Sequence, residues 1–216
     1  MKRFGFSKIL TGSLAAGFAL AAAAGLWFVQ GTASAAAAAP QPSLAGTWNV
    51  DPMHTSVSFT ITHMGISKVP GRFTDLAGTI VADPAHVAKS SVQFTIQATS
   101  VDTQVAARDT HLRSKDFFDV AQYPTITFES TKIVKVKGNQ YRALGNLTMH
   151  GTTRPIVLPF TVAGPVEMMG TSRIGLTTQI TLKRSDYGVG DPKFAAVLGD
   201  NVDVVISLEA VAAKKS

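Results

Sequence analysis

Apolar and polar residues alternate along most of the chain after residue 45. In residues 55–64, Val57, Phe59 and Ile61 alternate with serine and threonine. This period of two predicts a strand with one apolar face. The same alternation recurs at 76–80, 92–98, 126–128, 134–136, 141–149, 156–160, 174–182 and 202–208. Together with residues 46–51, the pattern predicts about ten short strands.

The predicted strands determine the fold class. Antiparallel strands with one apolar face bury it against another sheet or inside a closed barrel. A closed barrel also removes the exposed strand edges that favour aggregation. The alternation therefore predicts an all-β domain, with a sandwich and a barrel as the two architectures.

Two segments lack the alternation. Asp83 followed by Pro84 suits a helix start, so residues 84–90 are predicted to form a short helix. Residues 102–120 are rich in charge and are predicted to make one or two helical turns that cross a barrel end. Ser114 is the expected N-cap of the second turn, residues 115–118.

The N-terminus indicates export. Lys2, Arg3 and Lys8 precede the apolar residues 9–29, and Ala33-Ser34-Ala35 suits a signal peptidase. Residues 1–35 are therefore predicted to be a signal peptide, which places the protein in the periplasm or outside the cell. The apolar stretch of about 21 residues also has the length of an uncleaved membrane anchor, which remains the alternative.

Net charge and cysteine content limit the possible functions of the chain that follows the predicted signal peptide. Three of the 20 basic residues and none of the 14 acidic ones lie in residues 1–35, which leaves 181 residues with a net charge of +3. That charge is too small to indicate nucleic-acid binding. The absence of cysteine excludes disulfides, thiol catalysis and cysteine-ligated zinc. The prediction is an Ala/Pro-rich linker at 36–45 and one domain at 46–213.

Several motifs of this domain occur in a recognisable order. They lie at residues 51–59, 63–64, 71–73, 101–103, 108–114, 116–119, 123–130, 145–156 and 184–188. Over about residues 46–211 the chain resembles the YceI-like family of exported bacterial proteins. The resemblance implies a lipocalin-like antiparallel barrel of about eight or more strands that binds a polyisoprenoid or related long-chain lipid. It implies no catalytic triad, no metal site and no cofactor other than a bound isoprenoid lipid or quinone.

The interior of a small barrel is either filled by side chains or wide enough for one small ligand. Gly78, Ala98, Ala143 and Gly145 share the face of the large apolar residues. These small residues leave space either for a rod-like lipid or for neighbouring phenylalanine and leucine side chains. The pattern leaves both interpretations open, and the resemblance favours a cavity.

The candidate lipid-binding residues share the apolar parity of their strands. They are Phe59, Ile61, His63, Phe94, Ile96, Phe128, Leu147, Leu158, Leu176, Ile180 and Ile206. His63 is expected either to meet a ligand head group or redox ring near the mouth or to be an ordinary rim residue.

Arg108, His111 and Arg184 are the candidate polar residues. Arginine forks suit a pyrophosphate or another polar head group. The alternative is that arginine and aspartate pair with each other and fix the crossing segment over the barrel end.

The sequence therefore predicts a non-enzymatic protein that binds an isoprenoid-type lipid for transport, storage or presentation. The presentation hypothesis adds a membrane-protein partner that receives an isoprenoid quinone, and the oligomeric state is either monomer or homodimer. The rival class is a hydrolase or other enzyme acting on a lipid-like substrate with polar residues at the mouth. Motifs of hydrolases, zinc proteases and nucleotide-binding enzymes are absent from the sequence.

Overall fold

The computed structural model describes residues 43–214, and most of these lie in ten β-strands. The strands are β1 (Gly46–His63), β2 (Ser67–Phe73), β3 (Leu76–Ala82), β4 (Ser91–Gln97), β5 (Val101–Asp102), β6 (Thr125–Lys137), β7 (Gln140–Met149), β8 (Thr152–Met168), β9 (Thr171–Lys183) and β10 (Leu198–Ala212). The predicted signal peptide at 1–35 lies outside the described residues, as does most of the predicted linker at 36–45.

Eight of the described strands close an antiparallel barrel. Around the wall the order is β1, β10, β9, β8, β7, β6, β4 and β3, which pairs again with β1. The short strands β2 and β5 extend this wall, β2 along the second half of β1 and β5 along β2. The closed wall confirms the all-β prediction and decides between the two architectures in favour of the barrel.

β1 bends so that it can pair with three strands. Asp51 lies opposite Glu209 and Ser56 opposite Ser207, so β1 carries extra residues against β10 at this point. Pro52 cannot donate a backbone hydrogen bond, which suits a bulge. After the bulge, β1 leaves β3 and pairs with β2. The bend joins two of the predicted short strands into one of 18 residues.

One half of the barrel is filled. Trp48 is 1% exposed there and donates its indole N–H to the Leu44 carbonyl, 2.9 Å away. Phe94 and Phe128 stack with ring centroids 5.3 Å apart. A Cβ on Gly145 would lie 2.6 Å from the Phe128 ring, so this glycine makes room for the ring. At this level Gly145 therefore accommodates an aromatic side chain rather than leaving space for a lipid.

Of the two segments without alternation, residues 84–90 contain less helix than predicted, and residues 102–120 contain the predicted helical turns. Residues 84–90 hold only a 3₁₀ turn, Val87–Lys89, and Asp83 accepts a hydrogen bond from His86 N–H at 2.8 Å. Helix α1 (Ala106–Arg113) forms within the predicted crossing segment. Ser114 follows its last turn, where its hydroxyl donates to the His111 carbonyl and accepts from Asp116 N–H at 3.3 Å. Ser114 therefore closes α1 and also begins the predicted turn at 115–118, because its carbonyl accepts from Phe117 N–H.

The remaining helical elements are short. Further 3₁₀ turns occur at Ala98–Ser100, Arg184–Tyr187 and Pro192–Phe194. Within residues 43–214 no helix has the length and apolar character needed to cross a membrane.

Substitution of Gly145 by alanine tests the filled half. The new Cβ would lie 2.4 Å from the Glu129 carbonyl oxygen, which belongs to the backbone of β6, and 2.6 Å from the buried Phe128 ring. We expect the free energy of unfolding to fall by about 1–3 kcal/mol, measured by urea denaturation. Gly175→Ala is the matched control, because its nearest contact would be an ordinary 3.7 Å. Equal stability of the two variants would contradict the close packing at Gly145.

Candidate functional site

The other half of the barrel encloses a cavity of about 480 Å³. Its wall is almost entirely apolar and comes from inward-facing residues of the strands. On the strands these residues are Val57, Phe59, Ile61, His63, Val69, Phe73, Phe94, Ile96, Ile126, Leu147, Met149, Ile156, Leu158, Ile180, Leu182, Lys183, Leu198, Val202, Val204 and Ile206. The cavity begins where the Phe94–Phe128 stack ends, since Phe94 belongs to both.

Two irregular segments cover the end of the cavity. The first contains α1 and the residues up to 120, and the second runs from Arg184 to Val197 between β9 and β10. From these segments Thr103, Arg108, His111, Leu112, Phe117, Phe118, Arg184, Tyr187, Val189, Phe194 and Val197 line the cavity. His111, Lys183 and Val197 are its solvent-exposed wall residues, so the mouth lies near these three.

Aromatic contacts hold the two covering segments together. The rings of Phe117 and Phe194 stack with centroids 5.1 Å apart. The His111 ring meets the edge or face of both rings, at 5.0 Å from Phe117 and 5.6 Å from Phe194. Backbone pairing adds to this contact, because Asp191 N–H donates to the Asp116 carbonyl over 2.9 Å. The cover is therefore one packed unit made from two distant parts of the sequence.

The structure brings most of the sequence-predicted site residues to this cavity. The predicted residues on its wall are Phe59, Ile61, His63, Phe94, Ile96, Leu147, Leu158, Ile180, Ile206, Arg108, His111 and Arg184. Phe128 is not on the wall, because it is 1% exposed and lies beneath Phe94. Leu176 is also elsewhere: it lines a small pocket of about 40 Å³ in the filled half.

Sequence reasoning missed the aromatic residues of the cover. Phe117, Phe118, Tyr187 and Phe194 lie in turns, where neither helical nor strand periodicity marks an inward face. The available signal was composition, since adjacent phenylalanines at 117 and 118 follow a strongly charged run. Large apolar side chains in a polar, irregular segment indicate that the segment packs onto the core.

Arg108 fixes the start of α1. Its Nε donates to the Thr103 hydroxyl at 2.7 Å, and its Nη2 donates to the Thr103 carbonyl at 2.8 Å. The buried Asp109 carboxylate accepts from the Thr103 hydroxyl and backbone N–H at 2.5 and 2.8 Å. Thr103 thus connects the two charges, and no direct Arg108–Asp109 ion pair forms. The predicted arginine–aspartate pair is replaced by hydrogen bonds through threonine and backbone.

Arg184 is buried beside the cavity and is held by backbone carbonyls. Its Nε donates to Gly199, and its Nη1 donates to Val189 and Gly190, over 3.0–3.2 Å. No carboxylate of residues 43–214 forms an ion pair with it or with Arg108. Nη2 of Arg184 and Nη1 of Arg108 make no hydrogen bond to the described residues, and neither nitrogen is fully buried. Each guanidinium therefore has N–H groups that could donate hydrogen bonds to a ligand.

His63 ends β1 at the rim of the cavity. It is half-buried and lies opposite Ser67 of β2 and Leu198 of β10. This position agrees with the predicted location near the mouth. A contact between His63 and a head group remains a prediction.

His111, Asp116 and Lys193 form a polar contact across the cover. His111 Nε2 lies 3.0 Å from one Asp116 oxygen, and Lys193 Nζ lies 3.1 Å from the other. The hydrogen bond with His111 and then that with Lys193 lower the pKa of Asp116. Lys193 belongs to the second covering segment, so Asp116 links both segments electrostatically.

A second polar cluster lies on the bulge of β1. Asp51, His54 and Glu209 place possible ligand atoms within 4.8 Å of one another. Arg173 Nη1 donates to Asp51 at 2.9 Å and also to Glu209. The guanidinium therefore occupies the place that a metal cation would need. His54 and Arg173 together lower the Asp51 pKa to about 2, and we assign the cluster to an ion-pair network.

The adjacent Ser185 and Asp186 would suit a hydrolase triad only if a histidine lay beside the serine. The Ser185 hydroxyl donates to Asp200 at 2.9 Å, and its backbone N–H donates to the same carboxylate. The backbone bond and then the hydroxyl bond lower the Asp200 pKa. His150 contacts the Tyr187 carbonyl at 3.3 Å instead of a serine. Within residues 43–214 Ser185 has no histidine partner among its hydrogen bonds.

A closed antiparallel barrel with an apolar cavity at one end defines a class of small-ligand-binding barrel. The family model of the YceI-like domain matches residues 48–210. The chain belongs to this family. Protein YceI of Escherichia coli O157:H7 is 38% identical over 162 residues, which are 74% of this chain and 83% of that protein.

Solved structures have the same fold. The crystal structure of BcnA from Burkholderia cenocepacia superposes with a TM-score of 0.68 and 28% identity, covering 74% of this chain and 98% of BcnA. A polyisoprenoid-binding domain from Saccharophagus degradans gives a TM-score of 0.61 at 18% identity, covering 77% and 98% of the two chains. The latter similarity is evidence for the fold.

Replacement of Asp116 by asparagine tests the polar link across the cover. A carboxylate whose pKa is lowered by folding stabilises the folded state above its unfolded pKa of 3.8, and this contribution is lost as the pH falls through the folded value. Asp116→Asn is therefore expected to lower the free energy of unfolding at pH 7 and to have a smaller effect at pH 3. Urea denaturation at both pH values measures the difference.

Asp75→Asn is the control, because Asp75 is exposed and its side chain makes no hydrogen bond to residues 43–214. Its effect is expected to be small at both pH values. An Asp116→Asn effect that grows between pH 7 and pH 3 would contradict the assigned link.

Proposed function

We propose that the protein binds a polyisoprenoid or similar long-chain lipid non-covalently in the barrel cavity. The observation that carries this proposal is the apolar wall of the 480 Å³ cavity, which has its few polar groups at one end. Known small-molecule sites have volumes of about 300–1,000 Å³ and the same combination of apolar lining and few polar groups. A ligand of matching chemistry has a long apolar chain and one polar end.

The energetics favour such a ligand. Burial of a chain contributes about 0.8 kcal/mol per CH₂, so one isoprene unit contributes on the order of 4 kcal/mol before the cost of immobilisation. Two or three units in the cavity are sufficient for stable binding on this scale. The wall offers carbon contacts along its whole depth, from Val204 and Ile180 to Phe94.

The polar end of the ligand is proposed to lie beside Arg108 and Arg184. Both arginines line the cavity, and each has one terminal nitrogen that makes no hydrogen bond to residues 43–214. Charge-assisted hydrogen bonds from such donors suit phosphate or pyrophosphate oxygens. His63 and His111 lie on the same part of the wall and are proposed as additional contacts.

The biological role follows from this chemistry and from the predicted export signal. A lipid carrier in the periplasm or outside the cell would shield an insoluble chain from water for transport, storage or presentation to a membrane protein. The polyisoprenoid-binding domain from Saccharophagus degradans supports the ligand class by its name and its shared barrel. Either a monomer or a homodimer suits this role.

Blocking the cavity tests lipid binding directly. Ile180 faces the cavity on β9, so Ile180→Trp would occupy space that a ligand chain needs. We expect its occupancy by geranylgeraniol, measured by native mass spectrometry, to fall at least about tenfold, which corresponds to roughly 1.4 kcal/mol. The matched control is Gln179→Trp, which adds the same ring to the exposed outer face of β9.

Two other outcomes would contradict the proposal of lipid binding in the cavity. Unchanged occupancy in Ile180→Trp would place the lipid outside the cavity. Release of a hydrolysed product from a geranylgeranyl ester by the unmodified protein would instead favour the enzyme hypothesis.

Substitution of Arg108 by glutamine tests the head-group proposal. Glutamine retains a hydrogen-bond donor but loses the charge and the fork, so binding of geranylgeranyl diphosphate is expected to weaken about tenfold. Binding of geranylgeraniol, which lacks the phosphates, is expected to change much less. Isothermal titration of both ligands measures the preference. Reduced stability with an unchanged preference would assign Arg108 to the structural role alone.

A further inference from the structure

The turn between β1 and β2 presents an apolar tip beside the cavity mouth. Met64 and Ile66 are 58% and 84% exposed, and Gly65 lies between them. From residue 52 to residue 67 the sequence contains no lysine, arginine, aspartate or glutamate. Exposed apolar side chains on an uncharged segment are typical of surfaces that contact a partner or a membrane.

The tip is continuous with the cavity. Ile61 and His63 on β1 and Val69 on β2 line the cavity wall immediately before and after the turn. Met64 N–H donates to the Val197 carbonyl at 2.7 Å, and Val197 is an exposed residue of the mouth. An apolar surface therefore runs from the tip over the rim and into the barrel.

The tip is also held in position. Ile66 N–H donates to the His63 carbonyl at 3.1 Å, which closes the turn, and the bond from Met64 to Val197 ties it to the residue that precedes the neighbouring strand β10. The two side chains remain exposed because the backbone fixes their location away from the core. The tip is therefore a hydrogen-bonded turn with exposed apolar side chains.

We propose that this tip inserts into the surface of a phospholipid membrane, so that the cavity mouth faces the bilayer during lipid exchange. The inference rests on the proposed function, because an insoluble chain enters such a cavity from a membrane. Burial of the methionine and isoleucine side chains among lipid chains favours reversible attachment by a short tip.

The charges near the mouth indicate how the membrane is recognised. Lys68 lies 3.5 Å from Asp203, and Lys193 lies 3.1 Å from Asp116. Carboxylates pair with these two lysines, whereas Lys183, Arg108 and Arg184 at the mouth form no ion pair with a carboxylate of residues 43–214. The tip itself carries no charged residue, so apolar insertion is the attachment that it suits, and the contribution of the tip is expected to depend little on salt.

A second hairpin provides a matched control. The β8–β9 turn also has a Met-Gly pair in the left-handed conformation, with φ of 52° at both Met64 and Met169. Met168 and Met169 are 60% and 99% exposed. Leu158 of the cavity wall and Met168 are ten residues apart on β8, roughly 33 Å along the strand, so this turn lies far from the cavity.

The experiment compares Met64→Asn/Ile66→Ser with Met168→Ser/Met169→Asn in the full chain as exported. Asparagine tolerates the left-handed conformation, so both variants are expected to fold. Sedimentation with phosphatidylcholine vesicles measures docking without any ligand. Vesicles containing geranylgeraniol measure uptake, and geranylgeraniol added from detergent measures loading without a bilayer.

The mouth variant is Met64→Asn/Ile66→Ser, and the far-end variant is Met168→Ser/Met169→Asn. The mouth variant is expected to lose about tenfold in vesicle binding and in the rate of uptake from vesicles, with loading from detergent unchanged. The far-end variant should match the unmodified protein in all three assays. Equal behaviour of the two variants would overturn the proposal, and so would loss of detergent loading in the mouth variant. Self-association that disappears in the mouth variant, without vesicle binding by the unmodified protein, would assign the tip to a second copy of the chain and overturn it as well.

Failure of the proposed function gives a different result. The unmodified protein would then bind vesicles through the tip but take up no geranylgeraniol from either source.

Discussion

The pairing between β1 and β10 is the constraint on which the architecture depends. It joins the first and last strands of the wall, and without it the apolar face of the other strands would remain open at two edges. The bulge after Asp51 makes this pairing compatible with the turn of β1 from β3 towards β2. Arg173 secures the bulge by bridging Asp51 and Glu209, which lie opposite each other on the two closing strands.

Closure creates an interior, and side-chain volume divides it into two halves. Alternation along the sequence predicted the strands, the all-β class and the inward parity of residues such as Ile180 and Leu158. It did not predict the level at which the interior changes from filled to open. That level depends on which rings meet across strands, as Phe94 and Phe128 do over Gly145, and such contacts depend on register. Parity alone therefore placed Phe128 on the cavity, although it lies beneath the cavity floor.

The cover shows a second limit of the sequence pattern. Arg108, His111 and Arg184 were predicted from residue type and motif, and the structure brings them to one end of the barrel. The partners of the two arginines were not predictable, because Thr103 and several backbone carbonyls take the place of the expected aspartates. A charge held by backbone dipoles has no sequence signal, since every residue carries the same carbonyl group. The two segments of the cover are distant in sequence, and folding of the barrel brings them into contact.

In the proposed function, the hairpin of β1 and β2 would connect these features to lipid exchange. Along β1 the inward residues Phe59, Ile61 and His63 form one wall of the cavity, and the next residues form the exposed tip. Transfer of an apolar chain through water would cost about 0.8 kcal/mol for each CH₂ group exposed. A chain moving between a bilayer and the cavity along this hairpin would remain in contact with apolar side chains. The same sequence alternation that builds the barrel wall would then also provide the path by which the ligand enters it.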